Sequence, residues 1–239
     1  MCLIVFEINE DPARGLLLAA NRDEFYDRPT LAAAAWEDAP EIYAGRDLVG
    51  GGTWLGISGR GRFAAVTNYR DPKAEKGSRS RGELVSGFLS SGISTRDYLD
   101  TIASVADEFS GFNLIIGLAS TGGIEAAYFS NREGVIRYLE PGVYGLSNHL
   151  LDTPWPKVRR AKEMFSAAAA DDDNNALFEL LSDRTLASDD ELPDTGIGVE
   201  HERLLSPIFI ETPIYGTRCS TVVRVNTEGP PRLVERVHV

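Results

Sequence analysis

The chain has 239 residues and a formal net charge of −12, from 36 acidic and 24 basic side chains. This length can bury a core in one or two domains, and an apolar fraction of 43% argues against a disordered chain. The acidic balance disfavours a nucleic-acid partner, and the apolar runs are too short for a membrane helix, so we expect neither nucleic-acid binding nor membrane insertion.

Three further features of the sequence concern the cellular location and the presence of a metal site. They are the cysteines, the histidines and the N-terminal residues. Two cysteines cannot build a disulfide framework, and acidic side chains near the start replace the basic and apolar regions of a secretory signal. We therefore expect a cytoplasmic location. The three histidines lie far apart and show no metal-ligand spacing, so we expect no metal site. Only four basic residues are lysines, which fits either a salt-rich host cytoplasm or compositional drift.

The first third of the chain predicts strands. The second apolar run continues into the polar residues Asn21–Glu24, which we expect at the end of a hairpin strand. Apolar and β-branched runs bounded by glycine-containing turns predict strands at 2–8, 15–20, 42–44, 53–58 and 62–68.

Helical spacing then alternates with further strand signals. Ser94 is a predicted N-cap with Asp97 three residues on, and Pro156 is a typical first-turn residue of the third helix. We predict helices at 78–91, 95–109, 156–170 and 176–181, an acidic loop at 188–200, and strands at 112–118, 124–129, 135–139, 143–146, 208–211, 219–226 and 233–239.

The order of these elements indicates the fold class. Strands, two helices, strands, two helices and strands follow one another in blocks, unlike the alternating pattern of a parallel doubly wound sheet. The order favours two mostly antiparallel sheets packed face to face with helices outside, an α+β sandwich. No repeat or linker divides the chain, so we expect a single domain over residues 1–239.

Cys2 is the most informative residue for chemistry. Removal of Met1 would leave Cys2 with a thiol and a free α-amine, which titrates at about 7.7–8.0 and can act as a built-in base. Arg22 and Asp23 would lie near it, where a carboxylate can hold the ammonium and an arginine can lower the thiol pKa. The alternatives are a buried apolar cysteine and a solvated hairpin end.

Several ordered motifs resemble one family. They are Met1-Cys2, Asn21-Arg22-Asp23-Glu24, Gly52-Thr53-Trp54-Leu55-Gly56, Val66-Thr67-Asn68-Tyr69-Arg70 and Tyr215-Gly216-Thr217-Arg218-Cys219-Ser220-Thr221. Together they resemble the NRDE family, also called the transport and Golgi organisation family, over nearly the whole chain. The resemblance implies an N-terminal-nucleophile (Ntn) hydrolase fold, a four-layer αββα sandwich.

More distantly, the layout is similar to the bile salt hydrolase and penicillin V acylase group. That resemblance implies catalytic roles for six residues: Cys2 as nucleophile, Asp23 and Arg22 as its partners, Asn68 and Asn148 at the oxyanion, and Arg218 as the late arginine. The group usually has an arginine three residues before its Asp, where this chain has Ala20. Arg22 is the candidate for that role from a different backbone position.

Other residues have weaker signals. Trp54 and Tyr69 are candidates for apolar pocket walls or for the core, and His149 is a candidate pocket residue or a structural histidine. Cys219 is expected to be a buried structural thiol, with a Cys2–Cys219 disulfide as the alternative.

The resemblance favours an N-terminal cysteine amidohydrolase that cleaves the amide bond of a small acyl compound without a cofactor. The alternative is a non-catalytic protein that binds or traffics a small ligand or haem, with Cys2 or His149 as a haem ligand. A third hypothesis is an interaction protein that kept the fold and lost its activity.

Overall fold

The computed structural model describes residues 2–170 and 173–239, with the exception of the Cys2 side chain. These residues form two antiparallel sheets that pack face to face, with helices on both outer faces. The predicted α+β, four-layer αββα class is confirmed. The helices are α1 (Gly82–Ser90), α2 (Thr95–Ser104), α3 (Pro156–Ala168), α4 (Asn175–Leu181) and α5 (Val199–Leu204).

The first sheet contains both ends of the chain. Its strand order is β10-β1-β2-β11-β12, so the N-terminal strand lies inside the sheet. Residues near the end of the chain therefore pair with residues near its beginning. The strands are β1 (Cys2–Ile8), β2 (Leu16–Phe25), β10 (Gly142–Leu146), β11 (Tyr215–Val225) and β12 (Arg232–Val237).

The second sheet is a meander in sequence order from β3 to β9. Its central strands are buried, and short or exposed strands form both edges. The strands are β3 (Thr30–Ala35), β4 (Ile42–Asp47), β5 (Leu55–Ser58), β6 (Arg62–Asn68), β7 (Phe112–Ser120), β8 (Gly123–Ser130) and β9 (Ile136–Tyr138).

Three apolar clusters hold the layers together, and the alternation of strand residues explains them. In β1, Ile4 and Phe6 face the second sheet, whereas Leu3 and Val5 face α3 and α4. Because successive side chains point to opposite faces, a strand buried on both faces has a continuous apolar sequence, as residues 3–6 do. The third cluster packs α1 and α2 against the outer face of the second sheet.

The predicted helix starts agree with the structure at two positions. The Asp97 backbone N–H donates to Ser94 Oγ over 3.1 Å, as an N-cap requires. Pro156 occupies the first turn of α3, where a missing N–H costs no hydrogen bond.

Several predicted boundaries are wrong. The apolar run predicted at 15–20 is only the first part of β2, which continues through the polar residues expected at its end, because residues 21–25 pair with the start of β11. Residues 208–211 contain a single bridge, between Glu211 and Gly216, in place of a strand. β3 was not predicted, and α5 overlaps the predicted loop at 188–200.

Candidate functional site

The polar end of β2 lies between two cysteine-bearing strands. In the backbone register, Arg22 is the partner of Cys2 on β1 and of Cys219 on β11. The side chain of Cys2, the predicted nucleophile, lies outside the described residues. Its position in the strand nevertheless places the predicted nucleophile and Arg22 in adjacent strands at the same level.

The same register excludes a bond between the two cysteines. Two strand spacings separate their Cα atoms, about 9.6 Å, whereas a disulfide needs less than about 7 Å. Cys219 is a buried thiol in β11, as predicted.

Arg22 is a buried cation held between an aromatic ring and a carboxylate. Its side chain is only 5% exposed, its guanidinium carbon lies 4.2 Å above the Trp54 ring, and Nη2 lies 3.8 Å from Asp47 Oδ2. Nη1 is buried and makes no hydrogen bond with the described residues. A buried charged donor of this kind favours an anion or an acceptor nearby.

Gly45 makes room for the Trp54 ring. A Cβ atom at Gly45 would come within 2.4 Å of Trp54 Cη2, so a side chain there would displace the ring. The segment that precedes Trp54 is fixed in the same way, because a Cβ at Gly52 would lie 2.3 Å from the Gly82 carbonyl carbon at the start of α1. These two close approaches hold the ring under Arg22.

Asp23 lies on the other face of β2 and is also buried. Its Oδ1 accepts a hydrogen bond of 2.7 Å from the Thr217 hydroxyl on β11. Burial raises the pKa of the Asp23 carboxyl above its usual range, while the Lys157 cation and the Thr217 hydrogen bond oppose that rise. The carboxyl therefore depends on nearby cations to stay ionised.

Lys157 is a site-region residue that the sequence analysis missed. It lies in the first turn of α3 and is almost fully buried. A cation at a helix N-terminus opposes the helix dipole, and lysine is rarely buried without a partner. A lysine in the first helical turn, directly after Pro156, is the sequence signal that could have identified it.

A polar cavity of about 360 Å³ opens beside these groups. Arg22, Asp23, Trp54 and Asn68 line it, so four of the predicted site residues come together there. Asn68 ends β6 in the opposite sheet. Its backbone carbonyl accepts a hydrogen bond, and no hydrogen bond to its side-chain amide is found within the described residues.

Asn148 is buried behind Asn68 and does not line the cavity. Its Nδ2 donates to the Asn68 backbone carbonyl over 2.9 Å, and its own carbonyl accepts from the Arg70 N–H over 2.7 Å. Asn148 therefore holds the backbone of the Asn68 segment.

Tyr69 and His149 pack together away from this cavity. Their ring centroids lie 4.9 Å apart, and His149 also contacts Trp155 at 5.9 Å. His149 Nδ1 lies 2.8 Å from the Thr153 hydroxyl, and burial lowers the pKa of the imidazole below its usual range. Neither residue lines the cavity that Asn68 lines.

Arg218 occupies a bulge in β11 and binds backbone carbonyls. Its guanidinium donates to the carbonyls of Phe25, Arg28 and Val239 over 2.8–3.1 Å. It lines a smaller pocket with Arg22 and Trp54, and not the cavity with Asn68. These contacts tie the end of the chain to the end of β2.

Asn21 has a structural role, although it belongs to the same polar run as Arg22 and Asp23. Its Nδ2 donates to the carbonyls of Leu181 and Ile208 over 2.8 and 2.9 Å, and its Oδ1 accepts from the Ser220 hydroxyl over 2.6 Å. All of these contacts are buried. Asn21 thereby joins β2 to the end of α4 and to the segment before β11.

We expect Asn21→Ala to lower the free energy of unfolding by about 2–4 kcal/mol, because buried carbonyls lose their donor. Urea unfolding followed by circular dichroism measures this change. A loss below about 0.5 kcal/mol, which is the range of ordinary surface substitutions, would contradict the structural role of Asn21.

Two features are absent from residues 2–170 and 173–239. Among these residues, none of the helices is long and apolar enough to cross a membrane. The same part of the chain holds no group of three or more His, Cys, Asp or Glu side chains that could hold a metal ion.

Comparison with known sequences gives a match over nearly the full chain. The family model described as Transport and Golgi organisation 2 matches residues 1–238. A Bos taurus protein, named Transport and Golgi organization protein 2 homolog, is 40% identical, with 99% of this chain and 92% of the relative covered. The corresponding Mus musculus protein is 38% identical over the same shares.

Comparison with solved structures concerns the fold. A Caenorhabditis elegans N-acylethanolamine-hydrolyzing acid amidase ortholog superposes with a TM-score of 0.55, covering 99% of this chain and all of that chain. Sequence identity is 11%, so the likeness concerns the fold alone. The chain therefore has an Ntn-hydrolase-like fold.

Proposed function

Because the chain belongs to the Transport and Golgi organisation 2 family and has an Ntn-hydrolase-like fold, we propose that it is an N-terminal cysteine amidohydrolase. Its substrate is a small acyl compound, and the bond that breaks is a C–N amide bond. The observation that carries the proposal is the backbone register of Cys2 and Arg22 beside a polar cavity lined by Arg22, Asp23 and Asn68.

The first half of the reaction forms a thioester. After removal of Met1, the Cys2 α-amine takes the thiol proton and the sulfur attacks the amide carbonyl carbon. The carbonyl oxygen becomes an oxyanion, to which the Asn68 side chain donates a hydrogen bond. Collapse of this intermediate breaks the C–N bond, and the Cys2 ammonium gives its proton to the leaving amine.

The second half restores the enzyme. Water attacks the thioester carbonyl while the α-amine takes one of its protons. The carboxylic acid then leaves, and the sulfur recovers its proton. Arg22 stabilises the thiolate, Asp23 orients the ammonium, Asn148 fixes Asn68, and Arg218 holds the end of β2 through carbonyl contacts.

The first test is a brief, limiting pulse of iodoacetamide at neutral pH, followed by peptide mass mapping. We expect Met1 to be absent and Cys2 to be alkylated at least tenfold faster than the buried Cys219, because an activated thiolate is the reactive form. A substrate that is turned over should protect Cys2. N-acylethanolamines and N-acyl amino acids of several chain lengths form the starting panel.

Two results would overturn the amidohydrolase proposal. If Met1 remains on the purified protein, Cys2 has no free α-amine and the mechanism cannot run. If Cys2 reacts no faster than Cys219, the thiol is not activated.

Haem binding through Cys2 or His149 stays a prediction from the family resemblance. It belongs to the non-catalytic alternative, in which the same fold binds a ligand without chemistry. An absorbance titration with haem tests it, because a ligand-bound haem gives a saturable Soret shift that should change in His149→Ala.

A further inference from the structure

A buried ion pair lies close to the Asn68 segment and is not part of the mechanism above. Arg70 Nη1 lies 2.5 Å from Glu202 Oε2, and the two side chains are only 7% and 3% exposed. The other Glu202 oxygen accepts from both the backbone N–H and the hydroxyl of Thr195, over 3.0 and 2.5 Å. The Arg70 guanidinium also stacks on Trp155 at 4.8 Å.

A contribution to the stability of the fold is a weak explanation for a buried ion pair. Two charges lose their hydration on burial, and apolar residues of similar volume often give equal or greater stability. The pair joins residues 132 positions apart in the chain. Arg70 lies in the loop that follows β6, and Glu202 lies in α5. Helix α5 itself belongs to the long connection between α4 and β11.

The backbone of Arg70 is part of the support of Asn68. The Arg70 N–H donates to the Asn148 carbonyl, and the Asn148 amide donates to the Asn68 carbonyl. The Thr67 hydroxyl donates to the Ser147 carbonyl over 2.7 Å. Residues 67–70 and 147–148 therefore form one hydrogen-bonded unit, and the Arg70 side chain links that unit to α5.

We propose that Arg70 and Glu202 are positioning residues, which hold the Asn68 side chain at the oxyanion through the backbone of residues 68–70. Neither side chain lines the cavity, so they act without touching the substrate. This inference rests on the proposed amidohydrolase function, because it assigns a purpose to the exact placement of Asn68.

The test compares Glu202→Gln and the double variant Arg70→Met/Glu202→Met with the wild-type protein. We expect kcat for amide hydrolysis to fall about 10- to 100-fold, with a smaller change in KM, because misplacing a catalytic group weakens the transition state. Alkylation of Cys2 by iodoacetamide forms no oxyanion, so its rate in both variants should stay within twofold of the wild-type rate. The double variant removes both charges and leaves neither of them buried without its partner. A fall in kcat in this variant therefore reports the loss of positioning, and not destabilisation by an unpaired buried charge.

The matched control is Asp189→Asn. It breaks the exposed ion pair between Asp189 and Arg203, and this arginine lies on α5 directly after Glu202. We expect its kcat to be unchanged. Full kcat in both test variants, or a parallel fall of kcat and alkylation rate, would overturn the positioning role.

Hydrogen–deuterium exchange tests the positioning role of the ion pair independently of the proposed amidohydrolase activity. In Glu202→Gln the peptide that contains the Arg70 amide should exchange faster, while peptides from β2 stay protected. This readout needs no turnover. If the wild-type protein hydrolyses no amide, the proposed function fails, and unchanged exchange at Arg70 would separately show that the ion pair does not hold the segment.

Discussion

Cys2→Ala is expected to reduce amide hydrolysis by at least about 10³-fold, because the covalent step has no other nucleophile in the proposed mechanism. Steady-state rates on the substrate panel measure this loss, and the melting temperature shows whether the fold is kept. Cys2→Ser should retain little activity, since its hydroxyl is a far weaker nucleophile at neutral pH than a thiol.

Cys219→Ala is the matched control for this prediction. Cys219 pairs with the same residue, Arg22, from the opposite side of β2, and its side chain is buried. Removing its thiol is expected to leave kcat within about twofold. Wild-type turnover by the Cys2→Ala protein would show that hydrolysis does not use this thiol.

Asn68→Ala is expected to lower kcat by about 10²–10³-fold, equivalent to about 2.7–4 kcal/mol, with a smaller effect on KM. In the proposed mechanism the side-chain N–H donors stabilise the oxyanion, which exists only after attack on the carbonyl. The fold should persist, because Asn148 bonds the backbone carbonyl of Asn68 and not its side chain. Rates and KM values over the same substrate panel separate these effects.

Asn68→Asp is the sharper companion variant. Its carboxylate has nearly the same size as the amide, but it donates no hydrogen bond and places negative charge beside the developing oxyanion. It should therefore be at least as impaired as Asn68→Ala. Equal kcat in the wild-type protein and in both variants would remove Asn68 from the oxyanion site.

The layered fold could be predicted from the sequence because long buried strands and amphipathic helices leave strong periodic signals. The run 3–6 in β1 and the capped start of α2 are examples. β3 left no such signal. It is an exposed edge strand rich in alanine, so its residues show neither alternation nor a preference for strands.

Elements that depend on distant partners were harder to predict. Residues 21–25 extend β2 because residues 215–220 pair with them, and a local stretch of sequence does not show this pairing. α5 has six residues, too few for helical periodicity to emerge.

The candidate site residues also divide into those that the sequence motifs indicated and those whose placement depends on the fold. The motifs predicted Arg22, Asp23 and Asn68 as site residues and left Trp54 between a pocket wall and the core, and in the structure all four line one cavity. Tyr69 and His149 follow Asn68 and Asn148 in the sequence, but their rings pack against each other outside the cavity that Asn68 lines. A single β-strand or loop step changes the direction of a side chain, so neighbours of a site residue need not share its cavity.

The strand order of the first sheet has a consequence for synthesis. β2 makes its most extensive contacts with β11, about 200 residues later in the chain, so the polar end of β2 acquires its second neighbour only after those residues have been synthesised. Contacts of such high sequence separation fold slowly and leave strand edges open to aggregation in the meantime. A nascent or truncated chain that lacks residues 215–239 would expose one side of β2 along its whole length.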